Sequence, residues 1–579
     1  MKRCPTCGRV ETDEALKFCR VDGATLITES PSVDQEARTI QFESSAPSDS
    51  ATSSLPHTTD ANANRHTAPT TVLPPVANAS PTRKLQKRAR RRNLLIALAA
   101  LVLLSTGIGV FVSFYLSRRN SAAIQSIAVL PFENQNQNPD SEYLADGLTE
   151  SIIYRLSQLP NLKVSPRSSV FHYKGKESDP LKIGNELGVA AVLSGRITQR
   201  GDRITISTEL TDVRNNKLLW GEQYDRQLSE LLSTQREIAG EIAEKLRLQI
   251  SGADQRLANK HYTESNEAYQ SYLKGRYYWN KRTRDGYNKA IDHFKAAIDK
   301  DPSFALAYAG LADCYNILSS YGLSRPSESF PLGKAAVTKA LELDDTLAEA
   351  HTSMAYLKYQ YEWDWVGSER EFKRAIELNP NYPTAHHWYG LVLANMGRLD
   401  EAFAELKRAQ DLDPLSLVII ASTGWTLYEA HRYDEAIAQF QKALDLDQNF
   451  ARAHWGIAEP YALKGDNNKA IAELERTIQL DNSDSTQALL AETYARAGRR
   501  LESKKLLEEL IQQRDSKYVD AYRLAQIYAA LGDKEKALGT LEEAYRERSS
   551  LIVWLKLEPK FDGLRSDSRY ADLVRHIGL

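Results

Sequence analysis

The sequence predicts a multidomain chain: a small N-terminal metal module, a single membrane-spanning helix, a mixed α/β domain and an all-helical repeat superhelix. Three observations carry this prediction. Residues Leu94 to Leu116 are apolar or small and carry no charge. Cys4, Cys7, Cys19 and Asp22 stand as two pairs, each with two residues between its members. From about residue 262 the chain is self-similar at 34 residues, as in Ala402, Ala436 and Ala470, the signature of stacked helix pairs.

Composition bounds the reading. With 579 residues, 42% hydrophobic and 26% charged, the chain is ordinary globular protein with room for about three or four domains. A net charge of −2 argues against nucleic acid as the partner of the whole chain. Four cysteines are too few for a disulfide framework. Three of them fall at or before Cys19, which reads as metal binding.

Residues 1–27 form the metal module. Cys4-Pro-Thr-Cys7-Gly is a tight turn that points two thiolates at one ion, and Cys19 with Asp22 supplies a second pair, a carboxylate oxygen being an acceptable zinc ligand. So short a segment cannot bury a core, so metal would supply its folding energy. The stretch resembles the short zinc ribbons at the N-termini of many bacterial membrane and regulatory proteins, in which the last ligand is often Asp. That resemblance implies a structural zinc held by Cys4, Cys7, Cys19 and Asp22. A redox Cys-x-x-Cys and a metal-free ribbon are the alternatives. Residues 28–92 are rich in Ser, Thr, Ala, Pro and Asn and read as a disordered cytoplasmic linker with a basic end.

Residues 93–117 are the spanning helix. At ~1.5 Å per residue the run reaches the ~30 Å of a bilayer core. Arg83, Lys84, Lys87, Arg88, Arg90, Arg91 and Arg92 precede it and only Arg118 and Arg119 follow. The basic excess stays cytoplasmic, which places the N-terminus inside and residues after 117 in the periplasm of a bacterial cytoplasmic (inner) membrane.

Residues 122–251 read as α/β. Ser126 to Phe132 is an apolar strand. Leu144, Leu148, Ile152 and Leu156 make one helix face. Val164 and Val170 to Tyr173 suggest extended chain, and Ile183 to Leu187 a short helix. Val189 to Leu193, Arg203 to Leu210 and Leu218 to Tyr224 are strands, and Leu231 to Ile250 is a long amphipathic helix. Asp146-Gly147 looks like a helix start. Tyr173-Lys-Gly-Lys176 lacks the spacing of a phosphate loop, and no His-Glu-x-x-His or Gly-x-Ser-x-Gly occurs, so no enzyme is expected. The segments SIAVLPF, YLADGLTESIIYRLSQL, VSPRSSVFHYKG, IGNELGVAAVLSGRI and LLWGEQYDR resemble the TolB N-terminal-like domain. In bacteria that domain often precedes tetratricopeptide repeats, in CadC-like regulators, adenylate cyclases and receptor kinases. Those relatives carry an output domain on the cytoplasmic side, where this chain has the zinc module and linker.

Residues 262–548 follow the tetratricopeptide (TPR) pattern in about eight repeats. Ala409, Ala443 and Thr477 follow the first alanine set, with Leu406, Phe440 and Leu474 between. Gly397, Gly465, Gly498 and Gly532 mark turns. Insertions are expected at Leu318–Pro331 and Trp363–Gly367. Such arrays form a superhelix with a concave face. The family's facing positions fall here on Tyr356, Tyr359, His387, Leu391, Trp425, Tyr428, Arg452, Trp455, Glu459, Tyr522 and Gln526. Exposed aromatics in a groove are anchors for a bound protein partner. Adjacent His386 and His387 point different ways on a helix and read as packing, and Cys314 as a buried free thiol. Residues 549–579 resemble the ending of the same TolB-like repeat proteins and would cap the last repeat. The expected function is a membrane-anchored TPR scaffold or receptor that binds protein partners outside the cytoplasmic membrane. The alternative is the sensor subunit of a transmembrane signalling system. The sequence does not give the oligomeric state.

Overall fold

The computed structural model describes residues 124–136, 141–159, 162–176, 179–246, 260 and 262–579, together with three short N-terminal strands. The expected zinc ligands Cys4, Cys7, Cys19 and Asp22, the linker from residue 29 on and the run Leu94–Leu116 lie outside the described residues. The chain divides into two compact units, 1–103 and 104–579. In the first, β1 (Lys2–Arg3) pairs antiparallel with β2 (Val10–Glu11) on one side and β3 (Ile27–Thr28) on the other.

The second unit opens with a mixed sheet. β4 (Ser126–Val129) runs parallel to both β6 (Lys163–Val164) and β7 (Ala191–Arg200). β5 (Glu133–Asn134) continues alongside β7. β7, β8 (Arg203–Asp212) and β9 (Lys217–Gln227) form an antiparallel meander. The central strand reads as a continuous apolar run because both faces are covered: Ile127, Ala128 and Val129 are fully buried. Helix α1 (Glu142–Ser157) buries Leu144, Leu148, Ile152 and Leu156. It begins at Glu142, so Asp146 lies within the helix and not at its start. Val170 and Phe171 are helical in α2 (Arg167–Phe171), where extended chain was expected. Pro166 stands at the N-cap, and burial of Val170 against the core overrides its β-branched preference. Asp179 and Pro180 start α3 (Pro180–Glu186) by the ordinary cap, the Asp179 carboxylate accepting from the Leu181 N–H. Helix α4 (Leu231–Lys245) follows the meander.

Eight antiparallel helix pairs then follow. They are α5 (Asn266–Trp279) with α6 (Arg284–Lys300), α7 (Ala305–Ser320) with α8 (Pro326–Leu343), α9 (Ala348–Leu357) with α10 (Trp365–Leu378), and α11 (Pro383–Asn395) with α12 (Leu399–Leu412). The second four are α13 (Leu417–Glu429) with α14 (Tyr433–Leu446), α15 (Ala451–Leu463) with α16 (Asn467–Leu480), α17 (Asp484–Arg496) with α18 (Arg500–Gln513), and α19 (Ala521–Ala530) with α20 (Lys534–Arg546). Helix α21 (Ser568–His576) ends the chain. Two sequence features build each pair. Gly397, Gly465, Gly498 and Gly532 take φ between 77° and 84° at the turns, a conformation glycine adopts without cost. In the fifth pair His431 holds the same place at φ 59°. Small residues let neighbouring helices close: a Cβ on Gly456 would stand 2.3 Å from the Phe440 ring.

A device that the periodicity did not reveal recurs along the array. His351, His386 and His454 each bond a glutamate of the second helix, at 2.7, 2.6 and 2.6 Å to Glu371, Glu405 and Glu473. The other ring nitrogen of each meets a turn carbonyl, of Asp345, Pro380 and Gln448 respectively. The expected insertion at Leu318–Pro331 is shorter than the sequence suggests, because α8 starts at Pro326 and runs through Pro331. The third-repeat insertion begins earlier, as a π turn over Lys358–Glu362 that ends on Trp363 at φ 58°.

That insertion has a partner at the far end of the array. Trp363 stacks on Tyr545 of α20 at 5.2 Å, and the Trp365 indole N–H donates to the Ile577 carbonyl at 2.6 Å. Arg548 donates to the Tyr361 carbonyl, and Ser550 to the Ser319 carbonyl at 3.2 Å. The superhelix therefore closes early repeats onto its C-terminal cap.

Candidate binding site on the concave face of the array

Two surfaces of the array carry organised polar chemistry. The first is the edge formed by the turns between repeats, where the α/β domain docks. Glu150 of α1 meets Arg276 of α5, whose Nε donates at 2.7 Å, and the Asn280 amide at 2.9 Å. Arg167 adds an ion pair at 3.2 Å. Burial alone would raise Glu150, but Arg276 and Arg167 outweigh it and hold the carboxyl below its ordinary range. Asp146 is paired with Lys174 and with Arg167 at 3.8 Å, which is a structural role. Further along the edge, Asp413 accepts from the Ser169 hydroxyl at 2.9 Å and from Ser168. Burial pushes Asp413 up to about 6, against those two hydrogen bonds. A cavity of about 100 Å³ lies between the domain and the array, lined by Tyr154, Tyr269, Tyr272, Glu349 and Tyr382 among others. Burial pushes Glu349 up to about 7 there.

The second surface is the concave face. First helices of successive pairs touch one another, α11 with α13, α13 with α15 and α15 with α17, so they form the inner layer. The expected groove residues divide into three groups. Tyr428, Glu459, Tyr522 and Gln526 are covered by the chain's own C-terminal segment. The Tyr428 hydroxyl donates to one Glu558 oxygen at 3.0 Å, and the Gln526 amide to the other at 2.7 Å. The Lys560 ammonium lies 2.9 Å from Glu459 and 3.9 Å from Glu492, and Phe561 stands edge-on to Tyr522 at 5.3 Å. Burial works against the Lys560 charge, and Glu459, Glu492 and Glu558 outweigh it, so its pKa is raised. Burial, then Glu558 and Glu459, push Glu429 well up. These four residues were expected to face an outside partner. They face residues 558–561 instead, because the cap folds back into the superhelix as well as covering its end.

The second group is packed. Tyr356 is buried, its hydroxyl donating to Ser320 at 3.0 Å and its ring 4.4 Å from that of Trp388. Tyr359 lies in the π turn, fully buried, and accepts from the Asn395 amide at 2.8 Å. His387 is buried with Nε2 2.8 Å from the Ser422 hydroxyl. Burial first, then the charges of Arg282 and Arg452, push it down to about 3. The correction for Tyr356, Tyr359 and His387 is that each satisfies its polar atom inside the protein, so none is left as an exposed anchor. Leu391 is half-buried.

The third group stays partly accessible: Trp425, Arg452 and Trp455. The two indoles meet edge to face at 5.6 Å. The Arg452 guanidinium lies 4.7 Å from the Trp425 ring and 4.3 Å from that of Tyr321, which comes from the second repeat. Arg523, which sequence reasoning did not select, lies 4.8 Å from the Trp455 ring.

Among the described residues, no cluster of three or more His, Cys, Asp or Glu side chains is placed to hold a metal ion, and no helix is long and apolar enough to cross a membrane. His386 and His387 diverge, toward Glu405 and Ser422. Cys314 is buried and free.

Comparison with known proteins places the two halves of this unit. Residues 371–404, 424–465 and 521–550 match tetratricopeptide-repeat families. The C-terminal array is built of TPR repeats. Residues 122–241 match the second domain of HilA/YgeH-like transcriptional regulators. Among curated proteins, a Rhizobium meliloti protein provisionally named adenylate cyclase 3 is 30% identical over 286 residues, 48% of this chain and 41% of the relative. The transcriptional regulator HilA of Salmonella paratyphi A is 25% identical over 285 residues, 48% and 49%. The chain thus spans less than half the length of each. Among solved structures, Pseudomonas aeruginosa PilF is 20% identical with a TM-score of 0.27, over 36% of this chain and 93% of that one. YrrB, described as a TPR protein with an unusual peptide-binding site, is 23% identical with a TM-score of 0.23, over 34% and 96%.

Proposed function

We propose that this chain is a membrane-anchored scaffold that holds a protein partner outside the cytoplasmic membrane, on the concave face of its TPR array, without catalysis. The observation that carries the reading is the Trp425–Trp455 pair. It stays partly accessible where the neighbouring groove residues are filled by the C-terminal segment or packed. Large aromatics left open in a concavity are characteristic partner anchors. The α/β domain, read as TolB N-terminal-like, serves to orient the array through its ion-paired edge.

The anchoring rests on the uncharged run Leu94–Leu116 and the basic block before it, which support a single pass through a bacterial inner membrane with the N-terminus inside. In the N-terminal module we read a structural zinc held by Cys4, Cys7, Cys19 and Asp22. The antiparallel pairing of Arg3 with Val10 supports it, because that pairing brackets the stretch containing Cys4 and Cys7. Removing zinc with a chelator would unfold that module and leave the array's melting unchanged.

The test is the Trp425→Ala, Trp455→Ala double variant of the full chain, cross-linked to its partners in native membranes. Loss of an anchor costs ~2 kcal/mol or more in binding, whereas loss of a core tryptophan costs ~3–5 kcal/mol in stability. The scaffold reading expects capture of the partner to fall while the fold survives. Unchanged capture, or collapse of the array, overturns it. A second reading, the sensor subunit of a signalling system, is favoured by the regulator and cyclase names of the two curated relatives. Co-purification of a separate cyclase, kinase or DNA-binding protein through residues 1–93 would select it.

A further inference from the structure

The open part of the concave face has an unusual polar inventory. Among the described residues Arg282, Arg452 and Arg523 form no ion pair, although carboxylates crowd the same superhelix. Glu459 and Glu492 are taken by Lys560, and Glu558 by Tyr428 and Gln526. Four side-chain donors of this group have no acceptor. The Nε atoms of Arg452 and Arg523 and the indole N–H groups of Trp425 and Trp455 are all buried and unpartnered. Arg523 is 9% exposed, and its one hydrogen bond runs from Nη1 to Gln526 at 2.9 Å. The guanidinium groups lie over the aromatic rings, in the continuous order Tyr321, Arg452, Trp425, Trp455, Arg523.

A buried donor without an acceptor costs free energy, and a guanidinium without a counter-charge costs more. The four unpartnered donors of the ladder, with Arg452 meeting no carboxylate within ion-pair distance, are satisfied by a group that brings acceptors. Planar carboxylates match the arginine fork, and the indole faces take the apolar stems that carry them. We infer that the Arg452–Trp425–Trp455–Arg523 ladder is a recognition site for an acidic segment of the partner protein, with glutamate or aspartate carboxylates seated on the two arginines. The inference rests on the scaffold reading above and names the chemistry of its partner. Charge complementarity commits it to an acidic peptide. The four ladder side chains themselves offer a basic segment no carboxylate; Glu429, the carboxylate whose second oxygen stays unpartnered nearby, is buried and pushed well up by that burial and by Glu558 and Glu459.

The experiment uses the full chain and a fluorescently labelled oligoglutamate peptide, followed by anisotropy. Oligolysine of equal length and inorganic phosphate are the comparison probes. Oligoglutamate is expected to bind and oligolysine is not. The Arg452→Gln, Arg523→Gln variant is expected to weaken binding by about tenfold or more per arginine, as for other buried charge pairs. Arg452→Lys keeps part of the affinity, and Lys505→Gln, at an exposed position on α18, changes nothing. Should the double variant fail to fold, Arg452→Gln alone reads the same dependence, since Arg452 is only partly buried.

Absence of oligoglutamate binding, or equal affinity in the arginine variants, overturns the inference. Phosphate binding through the same arginines without peptide binding overturns it in favour of a small-anion site. The underlying scaffold reading fails separately. Partner capture lost in Trp425→Ala, Trp455→Ala but intact in Arg452→Gln, Arg523→Gln leaves the scaffold standing and sinks the acidic segment.

Discussion

At the edge where the α/β domain docks, Glu150 is held by Arg276, Arg167 and Asn280. On the concave face Arg452 and Arg523 lie over aromatic rings and form no ion pair among the described residues. Both surfaces use arginine next to aromatic side chains, and both sit in the same compact unit. The difference lies in whether each charge has already found its partner. A buried pair that is complete inside the chain fixes geometry, and breaking it strands a charge. A guanidinium held over a ring with its Nε donor unpartnered is held ready for something else.

The comparison breaks most sharply on arginine removal. Arg276→Ala removes the arginine paired to one oxygen of the buried Glu150 and leaves that carboxylate only Arg167 and Asn280, and should cost ~3 kcal/mol of stability, read as a fall in the denaturation midpoint. Arg452→Gln strands no carboxylate and should cost less than ~1 kcal/mol. Equal costs at the two sites would erase the distinction. Lys560 belongs with the edge in this respect, since its Glu459 contact at 2.9 Å is wholly buried. Lys560→Ala should therefore destabilise the array by ~3–5 kcal/mol, and Lys560→Met by more than Arg452→Gln because Glu459 loses its cation while Glu492 keeps Arg496.

The two surfaces should also respond to pH with opposite sign. Asp413 at the edge is raised from 3.8 to about 6. Between those values the folded state keeps a proton that the unfolded state has released, so stability falls as pH rises through that window. His387 on the inner layer is lowered from 6.5 to about 3. Between those values the unfolded state binds the extra proton, so stability falls as pH drops below 6.5. Each slope is at most ~1.4 kcal/mol per pH unit. Urea midpoints measured across pH 4 to 7 should flatten in opposite limbs for Asp413→Asn and His387→Gln. A shared limb would show that one of the two assignments is wrong. The smallest effect expected is at a turn. His431 occupies φ 59° where Gly397 and Gly465 serve the neighbouring repeats, so His431→Gly should stabilise by ~0.5–1 kcal/mol, read as a higher melting temperature. A loss instead would show that the His431 bond to the Tyr433 hydroxyl at 3.0 Å matters more than the backbone.

Some of this was legible in advance because it is periodic. Ala402, Ala436 and Ala470 repeat at the helix crossings, and the turn glycines repeat at left-handed φ, since each repeat meets the same neighbours. The sheet strands showed in runs such as Ser126–Val129 for the same local reason. Val170 misled because its branched side chain favours strand, whereas Pro166 and burial make it helical. The histidine–glutamate staples went unnoticed because their partners lie 19 or 20 positions apart, across two helices and outside any one helix face.

The sequence by itself determined that an α/β region precedes the repeat array, the repeat length and which residues stand on the inner helices, because these follow from local periodicity and chemistry. Only the tertiary structure decided which inner residues are free. Position in the repeat places Trp425, Tyr428, Trp455 and Tyr522 alike, but closure of the superhelix brings Glu558, Lys560 and Phe561 onto Tyr428, Glu459 and Tyr522 and leaves Arg452 and Trp425 open. That outcome depends on contacts more than a hundred residues apart, such as Tyr428 with Glu558 and Trp365 with Ile577. No periodic signal encodes them, because they arise from the accumulated twist of eight stacked pairs.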